Sequence, residues 1–217
     1  MNTTNLGRES RRSRVTEDNS GAWGSSSQDF VRLASLLFER SAIYAKNAGG
    51  NCSIYTLAGI PMLFSALRCL LIELHSGMLN ATRCDAAVLT KFAESANDVR
   101  VIIECYPTLP VDLRENLQLL LDVRHEIVHP AHRPGPEKDN TPTYLSSLRK
   151  AGLLQSTDVE IDYIWLSQLQ SHRLFRWAFD TIRGTVDVLL RAHNVPSFVT
   201  DGILASYSRY ETVDADH

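Results

Sequence analysis

The feature that most constrains the fold of this chain is the helical spacing of its apolar residues. From residue 28 onward they recur three or four positions apart, as in Phe30, Leu33 and Leu37. The sequence contains no convincing stretch of alternating apolar and polar residues and no internal repeat. These observations predict an all-α protein built as a bundle of four to six helices.

The chain divides into a polar beginning and a helical remainder. Residues 1–27 are rich in Ser, Thr, Asn and Gly and carry mixed charges, which is typical of a disordered tail. Residues 28–217 are long enough for one domain with a substantial core. The segment 53–79 is apolar on most sides and is predicted to be the central helix. The predicted helices start near residue 28 and then cover about 53–79, 85–105, 111–129, 144–150, 162–193 and a short stretch after Pro196.

Composition narrows the class of protein. The chain has 22 Lys and Arg against 25 Asp and Glu, a net charge of -3. This is not the strongly basic balance of many nucleic-acid-binding domains, although a local cleft can still be positive. No apolar segment typical of a signal peptide opens the chain, and the apolar run 54–74 is interrupted by Pro61, Arg68 and Glu73. We therefore expect a cytoplasmic protein.

The segment with the most chemistry is the end of the helix predicted at 111–129. Arg124 falls on its apolar stripe, where a guanidinium is unfavourable unless it is paired or lines a cavity. Residues Gln118, Asp122, His125 and His129 form a second stripe, because positions three or four apart share a helix face. One side of this helix end is therefore predicted to hold an arginine, two imidazoles and a carboxylate.

These residue types suit the cleavage of a phosphodiester. Histidine gives or takes a proton near neutral pH, and arginine binds phosphate oxygens with two hydrogen bonds. Asp122 is expected to fix the tautomer of His125. A structural alternative is that Arg124 and the two histidines simply interact favourably with the helix dipole and the last carbonyl groups.

The run from Arg124 to His129 resembles the signature of the HEPN domain family. The family pattern is an Arg, four to six residues, and a His, commonly with Asn, Asp or His directly after the Arg. It lies near the end of a late helix in a small helical bundle. The resemblance covers residues 28–194, and its specific content is these six residues, Arg-His-Glu-Ile-Val-His.

This resemblance implies a function. Many HEPN proteins are endoribonucleases that need no metal or other cofactor, and they are often toxins or defence effectors. They typically form homodimers in which two motifs face each other across one RNA cleft. The resemblance assigns His129 as the catalytic histidine, Arg124 as the phosphate-binding residue and His125 as a polar helper. The expected reaction is attack of a ribose 2'-hydroxyl on the adjacent phosphate, leaving a 2',3'-cyclic phosphate and a 5'-hydroxyl.

The resemblance also implies partners. Some HEPN members carry a Tyr two residues after the motif His, and a nucleotidyltransferase partner modifies it. This chain has Ala131 there, which makes that control doubtful, whereas an antitoxin of another kind remains compatible. Other members have lost catalysis and serve as modules that bind a protein or a nucleotide, so this alternative stays open.

The same letters also match the zinc-peptidase pattern His-Glu-x-x-His. Here His125 and His129 would bind zinc and Glu126 would act as general base. Arg124 beside the first ligand, Pro130 directly after the second, and the missing sheet all count against this alternative.

Other residues complete the predicted site. Glu73 lies in an apolar run and is expected to support the site as an ion-pair partner of Arg124 or Arg68. His132 and Arg133 follow the motif in a proline-rich loop and are candidates for substrate contacts. The aromatic residues of the last long helix are expected in the core or at a dimer contact rather than as a platform for stacking bases. They are Trp165, Phe175, Trp177 and Phe179.

Overall fold

The structure, a computed structural model, describes residues 25–48, 51–79, 86–94, 98–130, 142–155 and 165–208. Within these ranges all regular structure is helical, and the only β pairing is an isolated bridge between Cys52 and Ser171. The prediction of an all-α bundle is confirmed. The helices are α1 (Ser26–Asn47), α2 (Tyr55–His75), α3 (Ala86–Glu94), α4 (Asp98–Cys105), α5 (Val111–Val128), α6 (Thr143–Lys150), α7 (Trp165–Gln168), α8 (His172–Ala192) and α9 (Ser197–Tyr207).

The helix α2 lies at the centre of the bundle, as its apolar composition predicts. It packs against α1, α3, α5 and α8. By length and composition alone α2 could cross a membrane, but 56% of its most apolar window is buried inside the protein, which is also typical of a core helix. At Gly59 the backbone of α2 lies against the ring of Phe175, so that even one added methyl group would overlap this ring.

A buried carboxylate holds the beginning of α1. The Glu73 side chain accepts hydrogen bonds from the Ser27 backbone N–H at 3.1 Å and from the Ser25 and Ser27 hydroxyls at 2.6 and 2.7 Å. An acceptor at this position satisfies a donor that the first helical turn leaves open. The helix accordingly begins at Ser26, earlier than predicted, and residues 1–24 of the predicted tail lie outside the described residues.

The last long helix, α8, begins at His172, ten residues later than predicted. The Ser171 hydroxyl accepts a hydrogen bond from the Leu174 N–H at 3.2 Å, and the Asn51 side-chain oxygen accepts one from the Arg173 N–H at 2.9 Å. These two acceptors cap α8. In the described part of the predicted range 162–193, the residues before α8 include only the short helix α7. Within the third predicted helix the structure describes α3 and α4, and residues 95–97 between them lie outside the described ranges.

Three buried polar side chains connect α2, α8 and the turn before α5. The Tyr106 hydroxyl lies 2.8 Å from Nε2 of His75 and 2.6 Å from Nε2 of His193. A phenol can donate one hydrogen bond and accept another, so the Tyr106 hydroxyl can bond to both imidazoles. All three residues are buried, and this network therefore ties together the ends of two core helices.

Candidate active site at the end of α5

The end of α5 is determined by Pro130. Proline disfavours the helical conformation of the residue before it, and His129 accordingly has φ -130° and ψ 67°. The His129 backbone N–H still donates to the His125 carbonyl at 2.8 Å. The last turn therefore stays closed while the chain leaves the helix at His129.

The two motif histidines lie side by side at this end. Their ring centroids are 5.4 Å apart with an interplanar angle of 53°. Both side chains are exposed, and the preceding residue, Arg124, is half-buried. In the part of the chain that the structure describes, no carboxylate or carbonyl group pairs with the Arg124 guanidinium. Its donors are therefore available to an anion from solvent.

The buried face of α5 differs from the predicted apolar stripe at its C-terminal end. Val123 and Glu126 are buried, whereas Val128 is 40% exposed. In the last turns of α5 the residues that face the core are Val123 and Glu126. Arg124 lies at the edge of this buried face rather than within it. This edge position removes much of the desolvation penalty that the sequence pattern implied for the guanidinium.

The predicted polar stripe occupies one face of α5, with Asp122 half-buried at its middle. Burial raises the pKa of the Asp122 carboxyl, and a hydrogen bond from the Gln118 side chain and the charge of His125 oppose that rise. Asp122 and His125 therefore interact electrostatically. Gln118, which the prediction placed on the stripe without a role, therefore lowers the pKa of this carboxyl.

One residue of this region, Tyr144, was missed by the sequence analysis. Tyr144, in the first turn of α6, donates a hydrogen bond from its hydroxyl to Glu126 at 3.1 Å. Glu126 is only 5% exposed, so the contact joins α5 to α6 on the inner side of the motif. The sequence carried no signal for this pair, because a proline-rich loop separates the two residues.

The structure does not bring all predicted residues to this site. Glu73 was predicted to pair with Arg124 or Arg68, but its carboxylate accepts its hydrogen bonds from Ser25 and Ser27 at the start of α1. A small, tightly bonded cap thus replaces the predicted ion pair. His132 and Arg133 lie outside the described residues.

The aromatic residues of α8 belong to the core. Phe175 and Phe179 are fully buried, and Trp177 is half-buried against the core. The side chain of Trp165 lies outside the described part. None of the rings of Phe175, Trp177 and Phe179 is therefore exposed enough to serve as a stacking platform for bases.

The residues present define what the site can do. Two imidazoles can transfer protons, and one guanidinium can bind and stabilise an oxyanion. Among the described residues no three His, Cys, Asp or Glu side chains are grouped so that they could hold a metal ion.

Comparisons with known proteins found no matching family model, no similar curated protein and no similar solved structure.

Proposed function

We propose that this protein is a metal-independent endoribonuclease of the HEPN type. The observation that carries the proposal is the pair of exposed imidazoles, 5.4 Å between centroids, directly after the available guanidinium of Arg124. Each of these groups has a task in the cleavage of RNA by its own 2'-hydroxyl. The proposal further takes the protein to be cytoplasmic and a toxin or defence effector.

In the proposed reaction His129 acts as the principal proton-transfer residue. The 2'-oxygen loses its proton and forms a bond to phosphorus, while the bond from phosphorus to the 5'-oxygen breaks and that oxygen gains a proton. Arg124 binds the non-bridging oxygens and stabilises the charge that grows on them. His125, whose charge interacts with Asp122, helps to orient the phosphate.

The proposed active site is composite. The outer side of the α5 end carries the exposed residues Val128, His129 and Pro130, so a second copy can approach it without displacing a core side chain. Two copies would then contribute two Arg–His sets to one RNA strand. A homodimer with facing motifs is therefore part of the proposal, and so is regulation by an antitoxin partner.

The test compares four purified proteins on a defined single-stranded RNA in excess EDTA. Wild type and Arg32→Ala, an exposed arginine on α1, are expected to cleave it equally. His129→Ala is expected to lose cleavage, and Arg124→Lys is expected to lose about a hundredfold or more in rate, because lysine keeps the charge but not the two-pronged binding. Equal cleavage by all four proteins would refute the assignment.

A second candidate function is a non-catalytic module that binds a protein or a nucleotide. The net charge of -3 favours it, since RNA binding usually needs a positive surface. It predicts that wild type leaves RNA intact while His129→Ala alters partner or nucleotide binding. The zinc-peptidase alternative is weakened by Glu126, whose carboxylate is buried against Tyr144 rather than exposed with the two histidines.

A further inference from the structure

The helices α5 and α8 run antiparallel, so that the end of α5 and the beginning of α8 lie at the same end of the bundle. The Tyr106 hydroxyl, before the start of α5, lies 2.6 Å from Nε2 of His193, directly after the end of α8. A methyl group added at Gly184, further back along α8, would lie 3.4 Å from the Leu113 side chain near the start of α5. From this contact α5 continues toward the motif, while α8 runs back toward its own first turn.

This arrangement brings a second arginine to the level of Arg124. Arg124 lies eleven residues after Leu113, and Arg173 lies eleven residues before Gly184. Because each helical residue advances about 1.5 Å, both arginines lie about 16 Å along the bundle from the contact between Leu113 and Gly184. The Arg173 side chain is exposed. Arg173 therefore lies at the end of the bundle that carries the proposed active site.

The helix α6 connects the same two regions independently. In its first turn the Tyr144 hydroxyl donates to Glu126 near the end of α5, at 3.1 Å. In its last turn the Arg149 guanidinium donates to the side-chain oxygen of Gln168 in α7, also at 3.1 Å, and α7 ends shortly before α8 begins. The eight residues of α6 span about 12 Å. The exposed Lys150 that ends α6 therefore lies between the motif and the beginning of α8.

Four cations from three helices are thus grouped at one end of the bundle, and we call them the basic end. They are Arg124, Arg149, Lys150 and Arg173. The helix α6 contains no Asp or Glu, and the first turn of α8 contains none either. Among the described residues neither Lys150 nor Arg173 forms an ion pair. The basic end is therefore a local positive surface on a chain whose net charge is -3.

Helix stability does not account for the charge of Arg173. A cation in the first turn of a helix interacts unfavourably with the helix dipole, whereas Arg149 and Lys150 in the last turn of α6 interact favourably with it. The Arg173 backbone N–H already donates to Asn51, so an anion at this place would meet the side chains rather than free amides. Separate cations on neighbouring helices suit the successive phosphates of a nucleic-acid strand.

We propose that the basic end is a phosphate-binding surface along which a single-stranded RNA extends from the motif. Arg124 binds the phosphate that is cleaved, and the other three cations bind phosphates of neighbouring nucleotides. The choice of RNA as the ligand rests on the proposed function. The inference adds to it residues of α6 and α8 that hold the strand and take no part in the cleavage itself.

The test is binding of the full chain to a single-stranded 2'-O-methyl RNA of about 12 nucleotides, followed by fluorescence anisotropy at several salt concentrations. The methyl group blocks the attacking hydroxyl, so binding is measured without cleavage. Lys150→Ala and Arg173→Ala are each expected to weaken binding several-fold and to lower the slope of log K against log salt by about 0.7, the value for one phosphate contact on a single strand. Arg173→Lys keeps the charge and is expected to keep most of the affinity. The control Lys91→Ala removes an exposed lysine of α3, which packs against α2 and α4, and is expected to bind like wild type.

Several results would overturn the proposal. They are no binding by wild type, equal binding by wild type, Lys150→Ala and Arg173→Ala, and an equal loss in the control Lys91→Ala. Poly-glutamate that displaces the RNA at an equal concentration of charges would indicate a surface for acidic proteins and would also overturn it. Circular dichroism checks that every variant keeps its helical content.

A cleavage assay separates this proposal from the ribonuclease proposal. A wild type that binds RNA through the basic end but cleaves none would refute the ribonuclease alone. A wild type that cleaves RNA while Lys150→Ala and Arg173→Ala bind it normally would refute the basic end alone. If both proposals hold, Lys150→Ala should raise KM several-fold on the long RNA with little change in kcat, and should cleave a dinucleotide like wild type.

Discussion

Removing one oxygen atom from Tyr106 should destabilise the fold far more than the same change at Tyr207. Both tyrosines are buried, but their hydroxyl groups differ in their partners. The Tyr106 hydroxyl is 2.8 Å from His75 and 2.6 Å from His193, whereas the Tyr207 hydroxyl has no hydrogen-bond partner among the described residues. The pair of variants Tyr106→Phe and Tyr207→Phe therefore isolates the polar network from ring packing.

The size of the effect follows from the two contacts. A net hydrogen bond contributes roughly 1 kcal/mol, and a buried polar atom that loses its partner adds about 1–3 kcal/mol. Tyr106→Phe removes two hydrogen bonds and takes this partner from two buried imidazoles, so we expect a loss of about 2–4 kcal/mol. Tyr207→Phe removes a buried hydroxyl without a partner and is expected to be neutral or stabilising by about 1 kcal/mol.

The assay is urea unfolding followed by circular dichroism, with the slope of each transition compared to wild type. In thermal unfolding the Tyr106→Phe variant should melt about 5–15 °C lower than wild type. A loss under about 1 kcal/mol for Tyr106→Phe, or equal losses for the two variants, would refute the role of the network as a tie between helix ends.

Three further predictions concern packing and titration. Gly59→Ala should lower the free energy of unfolding by about 1–2 kcal/mol, since overlap with Phe175 outweighs the gain in helix propensity. The control Gly202→Ala, in open space on α9, should raise it by about 0.5–1 kcal/mol. Asp122→Asn should stabilise the protein at neutral pH, because burial raises the pKa of the Asp122 carboxyl. The gain in free energy of unfolding over wild type should vanish below pH 3.8 and grow as the pH rises through the raised pKa. Urea unfolding at several pH values measures this gain. Burial also raises the pKa of Tyr207, so wild type should lose stability above pH 10.0, and Tyr207→Phe should lose less.

The helical architecture could be predicted because it depends on periodicity. The repeat of apolar residues predicts where α1, α2 and α5 lie, and the composition of α2 predicts its central position. Proline also acts locally, so the end of α5 before Pro130 could be predicted. These features depend on residues close together in the sequence.

Features that depend on distant residues could not be predicted. The bonds from Ser25 and Ser27 to Glu73 join residues far apart in the chain, and they turn a predicted partner of Arg124 into a helix cap. The start of α8 depends on Asn51, which approaches it only in the folded chain. Short polar side chains act as caps wherever the fold brings a free backbone donor, and the sequence alone does not state where that is.

The candidate site combines features that depend on nearby residues with features that depend on distant ones. The neighbourhood of His125 and His129 follows from their spacing of four residues and from the helix around them. The hydrogen bond that buried Glu126 accepts comes instead from Tyr144 of α6, which is far away in the sequence. The edge position of Arg124 follows from Val123 and Glu126 taking the buried places, which the apolar pattern did not indicate.

The most direct test of the central claim is cleavage of RNA by purified wild-type and His129→Ala protein in excess EDTA, with the new ends mapped. The proposed function predicts cleavage by wild type alone, with 2',3'-cyclic phosphate and 5'-hydroxyl ends. Intact RNA with wild type, or equal cleavage by the His129→Ala variant, would contradict it.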